Sequence, residues 1–223
     1  MDMVYIVENN GVYGLTKGQY SATADVGSKK KKGPANETQP IDLCALAINL
    51  GCTFVARSFS GSKKQLTSIL KAAMSHKGFA LIDVISPCVT FNNNDESMRS
   101  YGYVKENEIT LHMADYIPHF NPMVEIEVPE GHYRDITLHD GSTIRLETIS
   151  DEHDPSNAVA ALTALHEAEA GKKHVTGLLY FDATKPSLAE DLGLVDQALV
   201  DVSDEALRPD RASLDALNAE FLA

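Results

Sequence analysis

The side chains best suited to chemistry stand near the start of the chain. Asn9-Asn10-Gly11-Val12-Tyr13-Gly14-Leu15-Thr16-Lys17-Gly18-Gln19 follows directly on the apolar run Val4-Tyr5-Ile6-Val7. A strand that ends in amides, hydroxyls and glycines presents hard oxygen donors and bare backbone amides at one edge of a sheet. Magnesium asks for such oxygens at octahedral geometry and usually shares a ligand's phosphates. Asn10 offers a side-chain carbonyl and Val12 a backbone carbonyl, with Gly11 letting the chain turn between them. Gly14 admits an anion close to the backbone, Thr16 adds a hydroxyl, and Lys17 adds a charge that suits a carboxylate. The same residues also read as a strand followed by a tight turn, and Lys17 as a solvated loop lysine. Local chemistry leaves both readings open.

The elements around this segment read as α/β. Met3 to Val7 is expected to be a strand buried on both faces. Residues 20–40, rich in Ser, Lys, Gly, Pro and Asn, read as a long exposed loop, a lid or a disordered segment. Helical spacing runs over Ile41–Leu50 with Gly51 as a left-handed stop, and Cys52–Arg57 is a short strand. Ser62 is expected to cap a second helix bearing Leu66, Ile69, Leu70 and Ala73, with Gly78 at its end. Phe79–Ile85 is an apolar strand apart from Asp83. Strand, helix, strand, helix, strand predicts a parallel sheet with flanking helices and right-handed crossovers. Pro87-Cys88 breaks the last of these strands.

Beyond residue 92 the pattern becomes mixed and then changes period. Met123–Val128, Tyr133–Leu138 and Ser142–Ile149 read as short strands, the last two joined at Asp140-Gly141. Asn157–Ala170 reads as a helix ended by Gly171, His174–Phe181 as a strand, and residues 203–223 as acidic and helical. The expected division is 1–121 as the sheet domain and 122–223 as a C-terminal extension of short strands and helices.

Composition excludes several classes. The chain has 223 residues, 43% of them apolar, so a packed core is attainable and global disorder is excluded. Nineteen basic against thirty-two acidic side chains give a net charge of −13, which disfavours sequence-independent nucleic-acid binding. No apolar run is long enough to span a membrane, and the first residues do not form a signal peptide. Three cysteines without a CxxC pair suggest a reducing cytoplasm, with Cys44 and Cys52 as core residues. Eight histidines show no zinc spacing; turn structure accounts for His139 and His153. No Gly-x-Ser-x-Gly elbow is present. Lys29–Lys32 reads as a solvated loop, with docking of an acidic partner as the alternative.

The segment Asn9–Gln19 closely resembles the second half of the thiamine diphosphate motif in β subunits of 2-oxoacid:ferredoxin oxidoreductases, above all the 2-oxoglutarate type. The likeness continues in order through Ser86-Pro87-Cys88-Val89-Thr90-Phe91-Asn92, His139-Asp140-Gly141-Ser142, His153-Asp154-Pro155 and Val175-Thr176-Gly177-Leu178. The resemblance implies a thiamine diphosphate-binding fold. It makes Asn10 and the Val12 carbonyl magnesium ligands and places Gly14 and Leu15 on thiamine diphosphate, with Tyr13 and Thr16 close by. Leu15 and Lys17 would face the 2-oxoacid. Cys88, which its composition alone reads as a structural thiol, becomes a ligand of a [4Fe-4S] cluster. The implied reaction is oxidative decarboxylation of a 2-oxoacid to acyl-coenzyme A with electrons passed to ferredoxin. The acid–base carboxylate would lie on a partner α subunit, so no catalytic acid or base is assigned to this chain.

The departures shape the expectation. The family's Gly-Asp-Gly segment, whose aspartate is a magnesium ligand, does not occur in this sequence, and neither do the other cluster cysteines. The chain therefore reads as the C-terminal part of such a β subunit, its thiamine diphosphate fold incomplete and with an exposed apolar edge around Val4–Val7. The cation and the cluster would then be incompletely held, and this chain alone would be inactive. The competing reading is a non-catalytic remnant that keeps only the fold and the subunit interface.

Overall fold

A computed structural model of the chain describes residues 1–29, 33–120, 133–148, 153–195 and 197–221. Its elements run β1 (Met3–Asn9), β2 (Val12–Tyr13), β3 (Gln19–Tyr20), α1 (Leu43–Asn49), β4 (Phe54–Phe59), α2 (Lys63–Met74), β5 (Phe79–Ile85), α3 (Tyr101–Asn107), β6 (Glu108–Thr110), β7 (His112–Ile117), β8 (Tyr133–Thr137), β9 (Thr143–Thr148), α4 (Ala158–Ala170) and β10 (His174–Phe181). Residues 1–188 form one compact unit. A second unit, 189–223, holds the short helix α6 (Asp204–Leu207) and α7 (Arg211–Phe221), after α5 (Leu188–Asp191) at its start.

The main sheet has the order β1-β5-β4-β10-β6. β1, β5 and β4 are parallel, as the alternation of strands and helices predicts. Period-two alternation splits their side chains between two cores. Phe54, Ala56, Ala80, Ile82 and Leu178 face α2, through Ile69, Ala72 and Ala73, together with the three-stranded sheet β7-β9-β8. Val55, Leu81 and Leu179 face α1 and α4, through Cys44, Ala47, Ala161 and Leu165. Cys44 and Cys52 are core residues, as their apolar settings suggest.

The structure refines several expectations. The sheet is mixed: β10, from the stretch assigned to the C-terminal extension, runs antiparallel to β4 as an inner strand. Its eight residues are almost wholly buried, because α2 with the β7-β9-β8 sheet covers one face and α1 with α4 the other. Residues 92–121 are not merely irregular but carry α3, β6 and β7. Ser62 makes no side-chain cap; its backbone N–H instead closes a turn on the Phe59 carbonyl. α4 ends at Gly171 as expected, and the left-handed residue follows it at Lys172 (φ 54°). The expected strand Met123–Val128 lies outside the described residues, as do Lys30, Lys31 and Lys32; Lys29 forms an exposed pair with Glu96 at 3.2 Å. Where its apolar run suggests burial on both faces, β1 is instead an edge strand with Tyr5 and Ile6 about half exposed, in line with the exposed edge that the resemblance implied. Among the described residues no helix is long and apolar enough to cross a membrane.

Two histidines serve more than turns. His139 Nδ1 accepts the Lys77 N–H at 3.0 Å, and His153 stacks on His112. His112 Nε2 accepts the Leu178 N–H at 2.6 Å, so a proton on Nε2 would break a buried bond. Burial, then the neighbouring His153, pushes His112 from 6.5 to about 3. Burial, then His139, pushes His76 to about 4. Both folded values lie below the unfolded one, so the unfolded chain takes up protons first as the pH falls. Stability is therefore full above pH 6.5 and drops between 6.5 and about 4, by about 1.4 kcal/mol per pH unit for each such histidine. Asp42, Asp135 and Asp154 have carboxyls held below 3.8, so their contribution is lost only at lower pH. Urea midpoints from pH 7 to 4 check this. His112→Gln, which keeps an acceptor for Leu178, should flatten the slope, and an unaltered slope contradicts the assignment.

Candidate functional site

The loop after β1 is built by its own backbone. Gly11 takes φ 71°, and a Cβ there would come within 3.1 Å of the Arg99 side chain and of Asn92 Nδ2. Asn10 Oδ1 accepts the Val12 N–H at 3.0 Å, a side-chain turn that points the next carbonyls onward. β2 and β3 then form a two-stranded ribbon closed by residues 14–18. The Tyr13 carbonyl takes the Gly18 N–H (3.1 Å) and the Thr16 hydroxyl (3.2 Å), and the Gly14 carbonyl takes the Lys17 N–H (3.0 Å). The closure forces Lys17 to φ 63°, a conformation that costs a non-glycine residue about 1 kcal/mol.

A cleft of about 450 Å³ lies between this loop and residues 90–96, with Val12, Lys17, Gly18, Thr90, Phe91 and Asn92 in its walls. Val12 and Lys17 are thus brought together. Asn10 is outside these walls and touches them through Asn92, whose Nδ2 donates to the Asn10 carbonyl at 2.8 Å. Tyr13 (54% exposed) and Leu15 (99% exposed) stand on the solvent side of the turn, and no atom lies within 4 Å of the space above Gly14. Lys17 has no ion-pair partner among the described residues. The cleft wall holds the Val12 backbone and the Lys17 ammonium. Asn10 Oδ1, the second oxygen the resemblance implies, lies outside it and accepts the Val12 N–H, so a cation here would have to bring most of its own oxygens.

Cys88 sits half-buried at a turn, its carbonyl accepting the N–H groups of Phe91 (3.2 Å) and Asn92 (2.8 Å). A [4Fe-4S] cluster needs a set of thiolates. Cys44 and Cys52 are committed elsewhere: Cys52 Sγ faces the carbonyls of Phe54 and Phe79, and burial pushes both thiols up. The described residues do not fit that cluster.

A row of buried charges behind the loop escaped the motif analysis. Asn9 Nδ2 donates to Asp83 Oδ1 (3.0 Å), and Asp83 Oδ2 accepts Arg57 Nε (2.8 Å). Arg57 Nη2 reaches Asp42 Oδ2 (2.9 Å), and Asp42 caps α1 through the Ala45 N–H. Burial raises the Asp42 pKa, but Arg57 and the Ala45 N–H outweigh it and hold the carboxyl below its usual range. On the other side Arg99 pairs with Asp25 (2.9 Å) and reaches the Asn9 carbonyl (3.4 Å). These residues line a second cavity of about 330 Å³. The available signal was Asp83 itself, since a carboxylate inside a wholly apolar strand demands a buried partner.

Residues 1–84 match the family described as thiamine pyrophosphate enzyme, C-terminal TPP binding domain. A 2-oxoacid:ferredoxin oxidoreductase β subunit from Saccharolobus solfataricus is 44% identical over 126 residues, 56% of this chain and 39% of that protein. The β subunit of oxidoreductase 1 from Aeropyrum pernix is 50% identical over 94 residues, 42% of this chain and 30% of that protein. The solved 2-oxoglutarate:ferredoxin oxidoreductase of Magnetococcus marinus, with 2-oxoglutarate, coenzyme A and succinyl-CoA bound, superposes with a TM-score of 0.63 at 26% identity. That match takes in 97% of this chain and 58% of the solved one. The matched part thus spans about two-fifths of the first curated relatives' length. In sequence this chain is similar to β subunits of 2-oxoacid:ferredoxin oxidoreductases, and in fold to a solved 2-oxoglutarate:ferredoxin oxidoreductase.

Proposed function

We propose that the chain is the coenzyme-binding part of a 2-oxoacid:ferredoxin oxidoreductase β subunit, acting on 2-oxoglutarate with coenzyme A and ferredoxin in a cytoplasmic complex with an α subunit. The observation that carries this reading is the cleft between the 10–18 loop and the Cys88 turn, with the unpaired Lys17 ammonium in its wall. Thiamine diphosphate, when bound, supplies the carbanion and the electron sink that the decarboxylation needs. This chain's residues hold and orient. Asn10 and the Val12 carbonyl ligate a magnesium ion already carrying diphosphate. Gly14 and Leu15 meet the coenzyme, flanked by Tyr13 and Thr16. Lys17 pairs with a substrate carboxylate, and Leu15 also faces the 2-oxoacid. The Magnetococcus protein's bound 2-oxoglutarate supports a dicarboxylic substrate, which a lysine in the wall would favour.

The second reading is a remnant that keeps only the fold and the subunit interface. Calorimetry separates the two. Thiamine diphosphate with magnesium should bind with a micromolar dissociation constant, while magnesium alone, offered two neutral oxygens, gives no heat at the same concentrations. Absence of binding at millimolar coenzyme and magnesium overturns the proposal in favour of the remnant.

A further inference from the structure

One side chain joins the loop assigned to the coenzyme with the turn that carries Cys88. Asn92 is 6% exposed. Its backbone N–H donates to the Cys88 carbonyl (2.8 Å) and its Nδ2 to the Asn10 carbonyl (2.8 Å). Its Oδ1 accepts the Ser97 hydroxyl at 2.6 Å, and Ser97 Oγ in turn accepts the Arg99 N–H at 3.1 Å. A carbonyl at one end and a hydroxyl donor at the other fix which way the amide faces. Beside it, the Ser86 N–H donates to the Asn9 carbonyl at 3.2 Å, a backbone link that a change at Asn92 leaves in place. The Asn10 peptide belongs to the turn in which Oδ1 of Asn10 caps the Val12 N–H. A cation that draws Asn10 Oδ1 away from the Val12 N–H reorients that turn, and Asn92 is the side-chain route by which the shift reaches residue 88.

We infer that Asn92 is a positioning residue that couples occupancy of the coenzyme loop to the placement of Cys88. The inference rests on the function proposed above for the 10–18 loop, but it is tested separately. Asn92→Asp keeps the volume and the acceptor for Ser97 and loses the N–H that holds Asn10. Ser97→Ala removes the group that fixes the amide's orientation.

The readout in the full chain is the rate at which iodoacetamide alkylates Cys88, the one cysteine that is not buried. In the wild-type chain, saturating magnesium and thiamine diphosphate should change this rate by about fivefold, the factor that one neutral hydrogen bond is worth. Asn92→Asp should bring the ratio to one while the coenzyme still binds, and Ser97→Ala should fall between. In ligand-free protein, Asn92→Asp should also raise hydrogen exchange at the Val12 amide and at the Phe91 and Asn92 amides together. A coenzyme-dependent rate change that survives Asn92→Asp overturns the coupling, as does exchange that rises on one side only. If the coenzyme does not bind at all, the functional proposal fails, and the exchange measurement still decides whether Asn92 links the two loops.

Discussion

Arg57→Met lowers the unfolding free energy by about 3–5 kcal/mol, a large share of the 5–15 kcal/mol typical of a domain. Asp83 is 1% exposed and meets one cation, through Arg57 Nε; its other oxygen has only the Asn9 amide. Removing the guanidinium leaves a carboxylate in a core whose dielectric cannot support it, and frees Asp42 as well. The attraction within an ion pair does not explain such a loss by itself, because an apolar pair of equal volume would cost little. Arg57→Met combined with Asp83→Leu should therefore recover most of the stability, although it orphans the Asn9 amide. Coenzyme affinity should stay impaired in that double variant, since Asn9, which precedes the Asn10 turn, loses its Asp83 bond and is held at its side chain by Thr23 alone. Urea unfolding checks the first part and calorimetry the second. A loss below about 1 kcal/mol for Arg57→Met contradicts the buried-charge account.

Lys17 carries the second large effect, and there stability and function part company. In the assembled enzyme, Lys17→Ala should raise KM for the 2-oxoacid by about 10- to 100-fold at nearly constant kcat, the signature of a lost charge-assisted bond to the substrate. Lys17→Gly should do the same to KM while unfolding no more easily than the wild type, because glycine accepts φ 63° freely and relieves the local strain. A lysine kept where glycine fits better is the pattern expected of a residue retained for what its ammonium touches. Steady-state kinetics of both variants, beside their thermal midpoints, checks this. Unaltered KM in either variant removes Lys17 from the substrate site.

Much of the scaffold could be read from residue types. Asn-Asn-Gly after an apolar run marks the end of β1 because few residues other than glycine take φ 71° beside the Arg99 side chain. Gly51 stops α1 with φ 87°, and Asn157 caps α4 through the Val159 and Ala160 amides. The partner of a strand is less legible. His174–Phe181 reads as a buried strand from its apolar content, but nothing in that content says it runs beside β4, or in which direction. The same limit hid the support of the site. Asp83, Arg57 and Asp42 lie 15 to 41 residues apart, and only the sheet register that pairs Arg57 with Asp83 brings them together. The hydrogen bonds of Asn92 and Ser97 to Asn10 and Arg99 were not legible in a stretch of mixed pattern, because they depend on the path of the chain around them.

The central claim, that the Asn10–Val12 turn holds a diphosphate-bound divalent cation, is tested most directly by substituting manganese for magnesium and recording amide spectra of the chain. With thiamine diphosphate present, manganese should broaden the resonances of Asn10, Gly11 and Val12 first, with those of Gly14 and Lys17 close behind, and this order should vanish when the coenzyme is left out. Broadening that starts in the acidic segment beyond residue 189, or that is the same with and without the coenzyme, would contradict the account.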